Sequence, residues 1–297
     1  MRDIVRQRQE AQGPAPRRAA GATPGALLHV ERSTSNAAPD SLVVEEPLEI
    51  RLDGETVSIT MRTPGHDDEL AVGFLFGEGI LKGVDDLVAL SFCQSSEDPE
   101  QRNSVSLATA MERRPDLLRL HRHFYTSSSC GVCGKTSIEA VMTTAPPVTS
   151  ATCLEARTLR LLDRRMRQAQ ELFAQTGGLH AAALFTSAGR LLLLREDVGR
   201  HNAVDKVIGS MLLRDRLPLD SCLLMVSGRI SFEIVQKALM ARIPVIAAVS
   251  APTSLAVELA LQSNLTLIGF LRGEAFNIYT HPERVRNLPQ RAAQLAG

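Results

Sequence analysis

Neither sign of charge is in excess. Lysine plus arginine and aspartate plus glutamate number 33 each, so the chain has no general attraction for nucleic acid or for an anionic membrane. Any anion it binds must be held locally. No apolar run reaches the roughly 18 residues that a membrane span requires, and the opening stretch MRDIVRQRQEAQGPAPRRAAGATPG lacks the apolar segment of a secretory signal. A cytoplasmic protein with reduced thiols is therefore expected. Cysteine is scarce, five in 297 residues, and an odd number without regular spacing speaks against a disulfide framework. No internal repeat is present either.

What is present reads as an ordinary globular chain, 44% hydrophobic and 22% charged. At about 100–200 residues per domain, its length predicts two domains. Residues 1–38, rich in Pro, Gly, Ala and Arg, are expected to form a disordered tail. Residues 39–148 read as a smaller β-rich domain. Within it, SLVVEEPLEIRLDGETVSITMRT carries two extended runs joined at Asp53-Gly54, a hairpin signal. TPGHDDELAVGFLFGEGIL then supplies a turn at Pro64-Gly65 and a helix with acidic residues at its start. Short strands are expected between Asp85 and Met111, and a long polar loop from Glu112 to Ser129 leads to a cysteine pair.

A linker at Ala145-Pro146-Pro147 opens the second domain, 149–297. Leu159, Leu162, Met166, Ala169 and Phe173 predict one amphipathic helix, stopped at Gly177-Gly178. AAALFTSAGRLLLLRE predicts a hairpin around Ser187-Ala188-Gly189. Short apolar strands and helices then alternate to Phe270, which predicts a sheet covered by helices and places the chain in the α/β (α+β) class.

Cys130 and Cys133 form a Cys-x-x-Cys pair in SSSCGVCGK. A thiol carries sulfur only as its thiolate, a minor species at neutral pH unless a cation or a helix N-terminus favours it. Lys135 and the helix expected from Thr136-Ser137 are placed to help. Glycines and serines around the pair give a pliant backbone, which favours chemistry over packing. A zinc site and a thioredoxin-like redox pair stay open as readings. Against zinc, Cys93, Cys153 and Cys222 are isolated, so no second pair completes a set of four ligands. Against the redox pair, the cysteines follow a polar loop and not a strand.

The second domain offers three strand-to-helix turns: REDVGRHNAVDK (Arg195–Lys206), VSGRISFE (Val226–Glu233) and APTSLA (Ala251–Ala256). Turns that end near one sheet edge are where α/β folds bind ligands, and helix starts bind anions. Asn202 is expected as an N-cap, and Arg229 as a partner for phosphate. GFLRGEAFNIYTH (Gly269–His281) ends the last strand at the same rim.

Together these blocks resemble the formate dehydrogenase accessory sulfurtransferases, the sulfur carrier proteins FdhD, from about Leu42 to the C-terminus. The resemblance implies a cytidine-deaminase-like C-terminal domain beside the smaller β-rich one, and a homodimer. It implies that a cysteine desulfurase passes sulfur to Cys130 as a persulfide, with Cys133 assisting. The sulfur would then go to a molybdenum cofactor, bis-molybdopterin guanine dinucleotide, bound as cargo and required by apo formate dehydrogenase. The family's cofactor-binding segment falls on Phe270, Leu271, Arg272, Gly273, Glu274 and Ala275, and the three turns add Arg229 and His201 as phosphate or guanine contacts. No permanent metal is implied: Ala182 stands where His180-x-Glu would put a deaminase's proton-moving glutamate. A non-catalytic escort for the cofactor and a zinc-dependent deaminase are the competing classes.

Overall fold

The computed structural model describes residues 21–31, 34–93, 103–110 and 145–289. In chain order its first elements are β1 (Ala22–Glu31), β2 (Thr34–Val43), β3 (Glu46–Leu52), β4 (Glu55–Arg62), α1 (Asp67–Gly77), β5 (Leu87–Cys93) and β6 (Ser104–Thr109). There follow β7 (Leu154–Glu155), α2 (Ala156–Ala169), α3 (Glu171–Thr176), β8 (His180–Thr186), β9 (Leu191–Asp197) and α4 (Arg200–Leu213). The last are β10 (Cys222–Val226), α5 (Phe232–Met240), β11 (Val245–Ala248), α6 (Ser254–Gln262), β12 (Thr266–Arg272), β13 (Ala275–Thr280) and β14 (Val285–Arg286). The class is mixed α/β, as expected. No helix among the described residues is long and apolar enough to cross a membrane.

The predicted hairpin forms at Asp53-Gly54, both at positive φ (49° and 88°). This backbone matches the twist of the flanking strands, and Asp-Gly adopts it at little cost. Around it the small sheet has the order β4-β3-β6-β5. Its inward side chains Leu48, Ile50, Leu52, Val105 and Leu107 are buried. They share one apolar core with Leu70, Val72 and Leu75 of α1 and with Val204, Val207 and Ile208 of α4. The core thus runs unbroken from the N-terminal part of the chain into the C-terminal part.

The large sheet has the order β13-β12-β11-β10-β8-β9. β10, β11 and β12 are parallel, β8 is antiparallel to both its neighbours, and β13 is antiparallel to β12. Alternation along each strand divides the side chains between two faces. Leu224, Val226, Ile246 and Ala248 turn to the core shared with α4, α5 and α6. Leu223, Met225, Val245 and Ala247 turn to a second core, closed by Leu159, Leu162 and Met166 of α2.

Two expectations need correction. Residues 22–31 and 34–38, assigned to a disordered tail, belong to an antiparallel hairpin running from the pair Ala22↔Val43 to Glu31↔Thr34. Composition misled here because a two-stranded ribbon leaves each strand one free edge, where Pro24 and Pro39 forfeit no ladder bond. The hairpin base is also fastened, by a bond from Val44 N–H to Gly21 O (2.9 Å). Second, the single helix expected over 159–173 is two, broken at Gln170, whose ψ of 83° is not helical. After β12 the chain makes a tight turn into an added edge strand, β13.

Candidate functional site

The turns that follow β10, β11 and β12 lie side by side, laced by backbone hydrogen bonds. Ile230 N–H donates to Ala251 O (3.2 Å), Thr253 N–H to Ile230 O (2.9 Å) and Phe270 N–H to Ser250 O (3.1 Å). The Arg272 Nε adds a bond to Val249 O (3.0 Å). β9 runs parallel to β10 through their shared antiparallel neighbour β8. The N-terminus of α4 therefore reaches the same edge as those of α5 and α6. Three helix starts meet there, those of α4 and α5 without a side-chain cap and that of α6 capped by Thr253 Oγ1, which accepts from Ala256 N–H, and together they make a favourable field for an anion.

The sequence-derived segment Phe270–Ala275 forms the rim of this edge. Phe270 has φ 53° and is 42% exposed. A bulky residue holds that left-handed backbone only under constraint, here the bond to Ser250 and a register shift between Gly269 and Arg272. The result is an aromatic ring presented to solvent at the end of a buried strand. Leu271 is fully buried and offers a ligand only its backbone. Arg272, Gly273, Glu274 and Ala275 are exposed. Glu274 meets Arg160 Nε at 3.5 Å, and Gly273 holds the turn at φ 54°. Arg229 is exposed, with no ion-pair partner among the described residues.

His201 sits at this edge but faces inward. Its Nε2 lies 3.0 Å from Ser231 Oγ and its Nδ1 3.4 Å from Glu233 Oε2. Burial, then the positive charges of Arg200 and Lys237, push its pKa down to about 3, so the ring is neutral at physiological pH. Both ring nitrogens are thus engaged within the protein. The neighbouring Arg200, which the motifs alone did not single out, has a buried Nε without a hydrogen-bond partner. A Cβ on Gly228 would come within 3.5 Å of Arg200 Cδ and 3.3 Å of His180 Nδ1, so glycine leaves room for both side chains. The signal available in the sequence was a third arginine, beside Arg229 and Arg272, in the first of three aligned turns.

The other polar residues of REDVGRHNAVDK hold the turn in place. Asp197, fully buried, accepts from Lys206 Nζ (2.6 Å), Gly199 N–H (2.8 Å), Asn202 Nδ2 (3.0 Å) and Thr63 N–H (3.3 Å). Asn202 also donates to Met61 O (2.8 Å) and Lys206 to Thr63 O (2.8 Å). Asn202 is therefore not the N-cap. Gly199 occupies that position, and Asn202 ties the first turn of α4 to the end of β4. Glu196 accepts from Leu172 N–H (3.0 Å) and Phe173 N–H (2.8 Å), capping α3. Asp205 pairs with Lys237 at 2.8 Å. Burial pulls the Lys237 pKa down, but the Asp205 and Glu233 carboxylates more than offset it and keep the ammonium charged.

Cys130 and Cys133 lie outside the described residues, and their arrangement is not part of this geometry. Among the described residues no group of three His, Cys, Asp or Glu side chains is placed to hold a metal ion.

Comparison with known proteins extends this picture. The family model described as FdhD/NarQ matches residues 43–286. A protein of Mycolicibacterium paratuberculosis named sulfur carrier protein FdhD is 51% identical over 265 residues, covering 87% of this chain and 97% of its own length. One of the same name from Sulfurisphaera tokodaii is 45% identical over 262 residues, with coverage of 87% and 97%. A crystal structure from Desulfotalea psychrophila, described as a formate dehydrogenase accessory protein, superposes with TM-score 0.71 at 26% identity. That match covers 89% of this chain and 99% of the other. With a family model matching most of its length and relatives at about half identity, the chain belongs to the FdhD/NarQ family.

Proposed function

We propose that this chain is a cytoplasmic sulfur carrier for formate dehydrogenase, acting as a homodimer. It takes persulfide sulfur from a cysteine desulfurase on Cys130 and passes it to molybdenum held in bis-molybdopterin guanine dinucleotide, bound as cargo. The observation that carries the reading is the laced edge itself. Three helix N-termini, Arg200, Arg229 and Arg272 converge there, beside an exposed Phe270 ring. A guanine dinucleotide brings phosphates for the arginines and helix starts and a planar base for the aromatic ring. The shared name of the relatives, sulfur carrier protein, supports the same reading.

In the loading step the Cys130 thiolate attacks the outer sulfur of the desulfurase persulfide. A new S–S bond forms on Cys130, and the desulfurase cysteine leaves as thiolate. In the release step the Cys133 thiolate attacks the inner sulfur of the Cys130 persulfide. A Cys130–Cys133 disulfide forms and hydrosulfide leaves toward the metal. The two electrons that turn sulfane sulfur into sulfide come from the cysteine pair, and a dithiol reductant then restores it. The deaminase-like scaffold belongs to this reading without deaminase chemistry, since Ala182 cannot move a proton.

Intact-mass spectrometry after incubation with a desulfurase and L-cysteine tests the proposal. The wild type should gain about 32 Da on the peptide bearing Cys130, and Cys130→Ala should gain nothing there. If Cys130→Ala still yields active formate dehydrogenase, the sulfur-carrier reading fails and an escort that only carries the cofactor replaces it.

A further inference from the structure

At the other end of the large sheet lies a cavity of about 290 Å³ that the cargo edge does not use. Leu217 and Pro218, which line it, precede β10, and Arg242 precedes β11. The laced turns follow those same strands, so the two features face opposite ways along the sheet. The cavity floor is apolar, formed by Phe76, Val84, Leu217 and Met240. Phe76 belongs to the main core, and the other three pack against it only partly buried. Around the mouth stand Lys82, Asp85 and Asp215, without ion-pair partners among the described residues. An apolar recess ringed by unpaired charges suits one buried anchor side chain with a polar surround.

The chain on either side of residues 111–144, which contain Cys130, is fastened at this rim. On one side Ala110 N–H donates to the carbonyl of Asp86 (3.1 Å), next to the lining residue Asp85. The Asp86 carboxylate in turn accepts from the N–H groups of Lys82 (2.6 Å) and Gly83 (3.3 Å). On the other side Arg242 Nη1 donates to Pro146 O (2.6 Å). The chain thus enters and leaves the cysteine-bearing segment at the same recess.

Resting on the sulfur-carrier reading, we propose that this cavity is the docking site for the sulfur-donating enzyme. That protein inserts one apolar side chain between Val84, Leu217 and Met240, and its polar surround meets Lys82, Asp85 and Asp215. The donor is then held where the described chain joins the segment that carries its acceptor thiol. Docking here raises the effective concentration of persulfide at Cys130 and adds nothing to the chemistry of the thiol.

The test compares two sulfur sources on the full chain, following the mass gain on Cys130. One source is the host's cysteine desulfurase with L-cysteine, and the other is glutathione persulfide, which needs no docking. Val84→Glu should slow loading from the desulfurase at least tenfold at subsaturating enzyme and leave loading from glutathione persulfide unchanged. Lys82→Glu, at an exposed position that folding tolerates, should slow the desulfurase arm at least threefold at low salt and not at high salt. It decides the matter if Val84→Glu melts early. Wild-type rates from the desulfurase in both variants overturn the proposal, as does equal slowing of both arms. Wild-type loading with altered self-association in ultracentrifugation would also overturn it, making the recess an interface between copies. If the wild type accepts sulfur from neither source, the reading of Cys130 fails instead.

Discussion

Gly73 of α1 rests directly on the backbone of Asp205 in α4: a Cβ built on it would lie 1.9 Å from the Asp205 carbonyl oxygen. The contact is reciprocal, since a Cβ on Gly209 would lie 1.9 Å from the Glu69 carbonyl oxygen. Two glycines therefore let the helix of the small β-rich part meet the helix that starts at the laced sheet edge. Gly73→Ala should force the helices apart and cost about 1–3 kcal/mol, or more because backbone cannot rotate away. Urea unfolding checks this, and an unchanged midpoint would refute the close crossing.

The Asp197–Lys206 pair ties the same two parts together through Thr63. Lys206→Met leaves a fully buried carboxylate with its amide donors but no cation, and should cost about 3–5 kcal/mol. Asp197→Asn with Lys206→Met should cost less than the sum of the single changes, because the second removes a group already stranded. A double-mutant cycle by urea unfolding gives the coupling directly; additive losses would mean that the pair is incidental.

How far the sequence reaches follows from such residues. The Asp53-Gly54 turn, the Gly177 stop and the strand–helix alternation after Leu179 were legible because local backbone preference and periodicity act over a few residues. The three turns of the laced edge were legible as motifs. What the pattern left undetermined was the division of labour within them. In one dimension Asn202 reads as a helix cap and Asp197 and Asp205 have no assigned role, for their partners Met61, Thr63 and Lys237 lie 32 to 141 positions away. Arg200 was overlooked because its unpartnered Nε is a property of packing. Nothing local marks Gly73 among the apolar residues of α1, for the chain that needs its missing side chain belongs to another helix.

The buried His201 gives the fold an acid sensitivity. Its folded pKa of about 3 lies below the 6.5 of a free histidine. As pH falls from 6.5 toward 3 the unfolded chain binds a proton that the folded one refuses, so stability decreases with falling pH in that window. The slope for one such group is at most about 1.4 kcal/mol per pH unit. His180 and His66 are lowered too, by burial and then by Arg200 and Arg195, and act in the same direction. Comparison with His201→Gln isolates the one residue. The variant should lose less stability than wild type between pH 7 and pH 5, and identical losses would place His201 in a wetter environment.

Arg229 has no ion-pair partner among the described residues, so its loss should be felt by the cargo and not by the fold. Guanosine diphosphate presents the guanine and phosphates of the proposed cargo without its metal, and its affinity can be measured by calorimetry at fixed salt. One charge-assisted hydrogen bond to phosphate is worth about 1.5 kcal/mol, so Arg229→Ala should weaken binding roughly tenfold while the melting temperature stays put. Arg272→Ala should weaken it as well, with a small loss of stability, because that side chain also secures Val249 O. Glu274→Ala removes a like charge from the rim and should leave affinity equal or better. The order of the three variants is what discriminates. If Arg229→Ala binds as wild type while Glu274→Ala binds worse, phosphate does not lie along this edge, and the sheet end has some other ligand.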